Sequence, residues 1–282
     1  YLVGEPSINT NGDSEIQESE ATAYNGGIGN FAWPGSVSDL TGIEYFTAVT
    51  SLSVNTQLLT SLDVSNNTAL TTLYCRNTQL TSLDVSNNIA LEELHCADNM
   101  LNTLDVSNNT ALTTLYCGLN PLYYIDLSNT MLTGIQDWMN IYTNGYELNM
   151  NNMINLSSIT CSPSILEINN NPMLTYVHIS PNQIVNSLNI NNNLSLYTLI
   201  CANNQLASLD VSTNTNLEVL KCYGNQLTSA SLNISGLTNL KDIECGDNQL
   251  SILDVSQNNH LTHLDCSNNQ LSSLIFNNGK EE

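Results

Sequence analysis

The chain has 282 residues and a formal net charge of −22, set by 26 acidic against 4 basic side chains. That charge repels phosphate-rich surfaces, so it argues against nucleic acid and anionic membranes and leaves cations or cationic partners. Charged residues are only 11% of the chain, so Asn, Ser and Thr supply most of the polar surface, and no apolar run is long enough to span a bilayer.

The first element in chain order is the polar stretch NTNGDSEIQESE, residues 9–20. Asn9, Asn11 and Asp13 fall at alternate positions, Glu15 offers its carbonyl, Ile16 is an apolar anchor and Glu20 closes the loop. This is the ligand order of a calcium loop of the EF-hand kind. Asn9 stands where Asp is usual and Ser14 where Gly permits the sharp turn, so the expected calcium affinity is low. The competing reading is an Asx-rich turn that N-caps a helix beginning near Ser19. In both readings residues 1–38 form a small cap at the N-terminal end of a repeat array, with Phe31 and Trp33 as its apolar lid.

A repeat organises residues 39–276. Cys75, Cys96 and Cys117 are 21 residues apart, as are Cys201 and Cys222, and Cys245 and Cys266. The unit reads L-x-x-L-x-C-x-x-N-x-L-x-x-L-D-V-S-x-N-x-x, for example LTTLYCRNTQLTSLDVSNNIA from Leu70 to Ala90. Val54 takes the cysteine position before Cys75, and Ile179 takes it between Cys161 and Cys201. Leu and Cys alternate with polar residues, which is strand spacing, and L-D-V repeats the alternation. Two short strands and two turns use up the unit and leave no room for a full helix. One unit cannot bury its own apolar face, whereas stacked units share a continuous core. The Asn three places after the cysteine (Asn99, Asn120, Asn182, Asn204, Asn225, Asn248, Asn269) falls at a corner, where its amide satisfies free backbone groups. Residues 130–147, around Trp138, fit the register worst.

The recurrence of cysteine, asparagine and LDVS at fixed offsets resembles the leucine-rich-repeat proteins of the internalin J type, with cysteine-containing 21-residue repeats. DLTGIEYFTAVTSL, residues 39–52, is similar to the lead-in of such arrays. The resemblance implies a mainly β, curved right-handed solenoid with a parallel concave sheet. It also implies an extracellular or bacterial cell-surface setting, and binding rather than catalysis. No G-x-S-x-G, H-E-x-x-H or phosphate loop points to an enzyme.

Eight cysteines would ordinarily suggest disulfides. Here each sits at an inward, Leu-equivalent position, and cysteines one coil apart point the same way, which suits a bond poorly. The expectation is a ladder of free, buried thiols, with metal ligation disfavoured for want of C-x-x-C pairs.

The residues flanking the cysteine position point outward. Tyr74, Arg76, His95 and Tyr116, and further along Tyr176, His178, Lys221 and Tyr223, are the candidate ligand-binding residues. Aromatic side chains on an exposed sheet stack on sugars or fill a protein interface; the competing reading is cross-strand packing within the sheet. The expected function is a non-enzymatic module binding a protein or glycan, with a rigid spacer as the alternative. A second outward column runs Asp63, Asp84, Asp105, Asp126 and on to Asp254, and reads as a solubilising stripe that discourages unwanted pairing. At the C-terminal end Leu271, Leu274 and Phe276 keep the inward spacing, with only the tail 277–282 after them. The solenoid is therefore expected to continue into, or be capped by, something beyond Glu282.

Overall fold

A computed structural model of the chain describes residues 2–29, 37–55, 58–135, 146–161, 163–181 and 185–276. These fall into two compact units, one running up to Met131 and the other from Leu132 onward. Among the described residues, helix is confined to Glu18–Ala23 and two short 3-10 turns, Leu2–Gly4 and Ile43–Tyr45; every other regular element is a strand of two to four residues.

In the first unit, Gly27–Ile28, Ser51–Ser53, Thr72–Tyr74, Glu93–His95 and Thr114–Tyr116 form one parallel sheet in that order. Leu52, Leu73, Leu94 and Leu115 lie in register, and each is at most 2% exposed. Thr103–Asp105 and Tyr124–Asp126 pair in a second parallel sheet. In the second unit, Gly134–Ile135, Ser158–Cys161, Tyr176–Ile179, Thr198–Ile200, Val219–Lys221, Asp242–Glu244 and His263–Asp265 form the corresponding parallel sheet. Glu147–Asn149, Ile165–Glu167 and Ser187–Asn189 pair beside it, as do Ile252–Asp254 and Ser273–Ile275. Each unit is a leucine-rich parallel β-solenoid. Burying one such Leu contributes about 1.5–3 kcal/mol, and no single coil could bury its own.

Coil length is less regular than the cysteines suggest. From Leu52 through Leu73 and Leu94 to Leu115 the strands of the first unit keep the cysteine period. In the second unit Ile159 pairs with Val177, a shorter step, and Leu220 with Ile243, a longer one. The sheet holds register because the turns absorb the difference. Cys161 pairs with Ile179, as the sequence indicates, and Ser53 with Tyr74, which places Val54 beside Cys75.

The corner after each cysteine rests on two residues. The second residue past the cysteine has a left-handed backbone in every described cysteine coil but Cys161's: Asn77, Asp98, Leu119, Asn203, Gly224, Asp247 and Asn268, with φ from 52° to 66°. The third is the expected Asn. The Asn99 amide donates to the carbonyls of Cys75 (2.8 Å) and Cys96 (3.1 Å), and its Oδ1 accepts from the Leu80 N–H at 3.0 Å. Asn120, Asn225, Asn248 and Asn269 repeat the pattern; Asn182 lies outside the described residues.

A second asparagine ladder, not anticipated, stands at the other corner. Asn88 donates to Val64 O (3.0 Å) and Asn67 O (2.9 Å), and Asn109 to Val85 O and Asn88 O, both at 2.9 Å. Asn67, Asn214 and Asn258 each donate to two carbonyls of the preceding coil in the same way, and all five are at most 3% exposed. The outward aspartates also have a local task beyond solubility. Oδ1 of Asp63, Asp84, Asp105, Asp126, Asp210 and Asp254 accepts the N–H of the Ser two residues on, at 2.9–3.0 Å. Each folds back on its own turn, so the column is a row of Asx turns.

The N-terminal segment adds the strand Gly27–Ile28 to the sheet. Gly29 comes next at φ 120°, and a Cβ there would fall 2.1 Å from Ser53 O, so only glycine lets the chain pass. Phe31, Trp33, Trp138 and the tail 277–282 lie outside the described residues. At the other end Leu274 and Phe276 are 39% and 63% exposed rather than buried.

Candidate binding surface

All eight cysteines are free, and seven are buried; Cys266 is half-buried. Burial pushes the thiols of Cys75, Cys117, Cys201 and Cys245 up to about 12. They are inert apolar filler at neutral pH, and their column fixes which neighbours point outward.

Outward, the first unit carries an aromatic row. Tyr74, His95 and Tyr116 stand in register on adjacent strands. Their ring centroids are 4.3 Å (Tyr74–His95) and 4.4 Å (His95–Tyr116) apart, with tilted planes. Glu93, two residues before His95 and so on the same face, places Oε1 2.8 Å from His95 Nε2. That hydrogen bond, with one from the Tyr74 hydroxyl, holds the Glu93 carboxyl below its ordinary range against the opposing effect of burial. The bond to Glu93 in turn pushes the Tyr74 phenol up. His95 is nearly enclosed, its side chain 12% exposed, while Tyr116 is 46% exposed. Arg76 is exposed beside the row. Cross-strand packing and an exposed aromatic surface thus coexist: His95 is the packed centre and Tyr116 the open rim.

The second unit differs. Tyr176 and His178, two apart on one strand, meet edge to face at 6.5 Å. Thr160, His178, Ile200, Lys221, Glu244 and Asp265 form its outward column in register. Lys221 is turned to its neighbours, with Nζ 2.5 Å from Glu244 Oε1 and 3.6 Å from Asp242 Oδ2. The Glu244 hydrogen bond raises its pKa. Tyr223 is half-buried at the following outward position. Of the eight residues singled out from sequence, three are brought into one stack, two into a pair, and Lys221 into an ion-pair cluster. Asp242 was missed as a member. Its i, i+2 spacing to Glu244 was the available signal.

The N-terminal loop is a closed hydrogen-bond network. Asn9 Nδ2 donates to Asp13 O, and Asn9 Oδ1 accepts the Gly12 N–H. Asn11 bonds Asp13 and Gln17, and Asp13 accepts the Glu15 N–H. Buried Glu20 accepts from Thr10 N (2.7 Å), Thr10 Oγ1 (2.8 Å), Asn11 N and Gln17 N. Desolvation works to raise its pKa, but these donors outweigh it and the pKa is lowered. The helix runs from Glu18 to Ala23 with Gln17 as its N-cap residue, so Glu20 closes the helix start as well as the loop. An open pocket of about 630 Å³ lies beside this helix, lined by Leu2, Ile16, Ala21, Leu40 and Phe46 among others.

No protein-family model matches the sequence, and no curated protein matches it. Among solved structures the chain is similar to the functional domain of InlJ from Listeria monocytogenes, which includes a cysteine ladder. Identity is 27% over 93% of this chain, with a TM-score of 0.45, and the chain spans 65% of that domain's length. It is also similar to an internalin, inlF, of Listeria monocytogenes (22% identity, 93% of this chain, 90% of that one, TM-score 0.37). A leucine-rich-repeat protein of Leptospira interrogans is similar at 18% identity, over 85% of this chain and 75% of that one, with a TM-score of 0.39. The chain resembles the internalin J type in its repeat, and it carries a column of free thiols of its own, seven of the eight buried.

Proposed function

We propose that the chain is a non-enzymatic binding module of a secreted or cell-surface bacterial protein, and that it takes its partner on the outward face of the cysteine-ladder strands. The observation that carries this is the row Tyr74–His95–Tyr116, mounted on rigid paired strands and opening from a packed centre to an exposed rim. Aromatic side chains lose little conformational entropy on binding and anchor interfaces out of proportion to their number. A protein partner presenting Lys or Arg fits best, since the net charge of −22 attracts cationic surfaces and the ring faces accept cations. No helix among the described residues is long and apolar enough to cross a membrane.

Crosslinking to a surface-protein extract and binding to a glycan array, each run with wild type and with Tyr116→Ala, test the reading. Tyr116→Ala should lower protein capture at least tenfold with the melting temperature little changed. Glycan signals sensitive to Tyr116 would move the partner class to carbohydrate. Equal capture by variant and wild type would favour the spacer reading.

A second reading concerns Asn9, Asn11, Asp13, Glu15 and Glu20, whose order is that of a calcium loop. Two carboxylates, Asp13 and Glu20, already sit in the loop as anions. Calcium would have to replace their N–H donors, so its binding is weak. Millimolar calcium should raise the melting temperature of wild type but not of Asp13→Asn; no shift in wild type would leave the hydrogen-bonded cap as the whole role of the loop.

A further inference from the structure

We propose that Asp242, Glu244 and His263 form a site for a divalent transition-metal ion of the zinc class, guarded by the Lys221 ammonium. Asp242 and Glu244 flank buried Ile243 on one strand, so both carboxylates leave the same face. His263 is on the next strand, directly opposite Asp242 in the parallel register. One ligand atom from each of the three lies within 4.8 Å of the others. Two carboxylate oxygens and one imidazole nitrogen make a three-ligand set that leaves a fourth position for water, which suits zinc. The imidazole disfavours calcium and magnesium, which prefer oxygen alone.

Two further observations point to a cation here. Asp242 Oδ1 is sealed from solvent and accepts no hydrogen bond. The Asp242 side chain as a whole is 27% exposed, and this shielded oxygen is the one acceptor on it that a bound cation would supply with a partner. Its partner oxygen and Glu244 already hold a cation, the Lys221 Nζ, from the strand on the other side. The ammonium therefore competes with a metal for the same carboxylates. Metal occupancy would release Lys221 to the outward face, whereas the metal-free state keeps it tied down.

That competition gives the test a direction that diffuse attraction to acidic side chains does not share. Isothermal titration with zinc chloride, in saturating calcium and under reducing conditions, is run on the full chain, on His263→Ala and on Lys221→Met. Binding by His263→Ala should be at least tenfold weaker, because a ligand is lost from an exposed position whose removal leaves the core intact. Binding by Lys221→Met should be at least tenfold tighter, because the internal competitor is gone. Cobalt substituted for zinc should give a visible d–d band that disappears in His263→Ala. The proposal is overturned if wild type and His263→Ala take up zinc alike, or if Lys221→Met binds no more tightly than wild type. Zinc held by the thiols would produce the first of these results.

Discussion

The same short strands carry two columns, and the two behave differently. Inward, both units repeat only apolar residues, Leu and Cys with Ile or Val in their place at Val54, Ile159, Val177, Ile179 and Ile243, and all of these substitutes are buried. Outward, the first unit presents Tyr74, His95 and Tyr116, while the second presents His178, Ile200, Lys221, Glu244 and Asp265. Packing dictates the inward column: a coil lacking the right volume would break contact with both neighbours. Packing sets little in the outward one, so its residues diverge with the chemistry each surface performs. Breaking the inward column should therefore cost stability and leave binding intact, and breaking the outward one should do the reverse.

The sharpest way to break the inward column is to ionise it. The folded thiols of Cys75, Cys117, Cys201 and Cys245 titrate at about 12 against an ordinary value of 9.0. Their folded pKa values are raised, so their contribution to stability is complete below pH 9 and is lost as pH climbs from 9 towards 12. Each thiol withdraws about 1.4 kcal/mol per pH unit across that window, since the unfolded chain releases a proton that the folded chain keeps. Thermal melts from pH 8 to 11 under reducing conditions should show a steep fall, shallower in Cys117→Ala. A flat profile would mean that the thiols are solvated.

Legibility in the sequence obeys the same division. The strands, the Cys column and its substitutes Val54 and Ile179 could be read because alternation and stacking leave one answer. The Cys-following asparagines could be read because a fixed polar residue beside a buried one needs a backbone partner. The second ladder through Asn67, Asn88 and Asn109 is as regular, but it hides in N-N pairs where only one of the two turns inward. The Asx turns of Asp63 and its equivalents hide similarly, because an outward carboxylate reads as charge and not as a hydrogen-bond acceptor. Individual outward residues could be listed, but their grouping could not. Whether Lys221 faces a ligand or Glu244 depends on the register between two strands that a long, irregular turn separates in the sequence.

The second ladder offers the next largest effect. Asn109 is fully buried, and its amide satisfies the carbonyls of Val85 and Asn88. Asn109→Ala removes one of two donors from each, since Val85 O keeps the Asn88 N–H and Asn88 O keeps the Leu91 N–H, so two buried hydrogen bonds are lost at a cost of about 1–3 kcal/mol. Asn109→Asp should cost at least as much, since a carboxylate cannot donate. Urea melts of the two variants measure this, and partner binding extrapolated to folded protein should be unchanged. A loss below 0.5 kcal/mol in both, on the order of an ordinary surface substitution, would show that the backbone N–H donors of Asn88 and Leu91 are enough for the corner carbonyls.

The smallest effect lies at the turn where both columns end, and it is a gain. Leu119 holds φ at 59° in a position that Asn77, Asp98, Asn203, Gly224, Asp247 and Asn268 occupy in the other coils. A Cβ-branched or bulky aliphatic side chain is strained in this region, whereas Asn and Gly enter it readily. Leu119 is 42% exposed, so its side chain gives back little burial for that strain. Leu119→Asn should stabilise the first unit by about 0.5–1 kcal/mol, the usual scale of relieving an unfavourable backbone conformation. Leu119→Gly should gain less, because glycine adds freedom to the unfolded chain. Leu119 comes just after Cys117 and Gly118, one strand end away from Tyr116, which gives the pair of variants a second use. If Leu119→Asn stabilises the fold yet weakens partner capture as Tyr116→Ala does, the strained leucine belongs to the binding rim and is kept there at the expense of stability. If capture is unchanged, the rim ends at Tyr116, and Leu119 is a local departure from the pattern that the inward column is strong enough to carry.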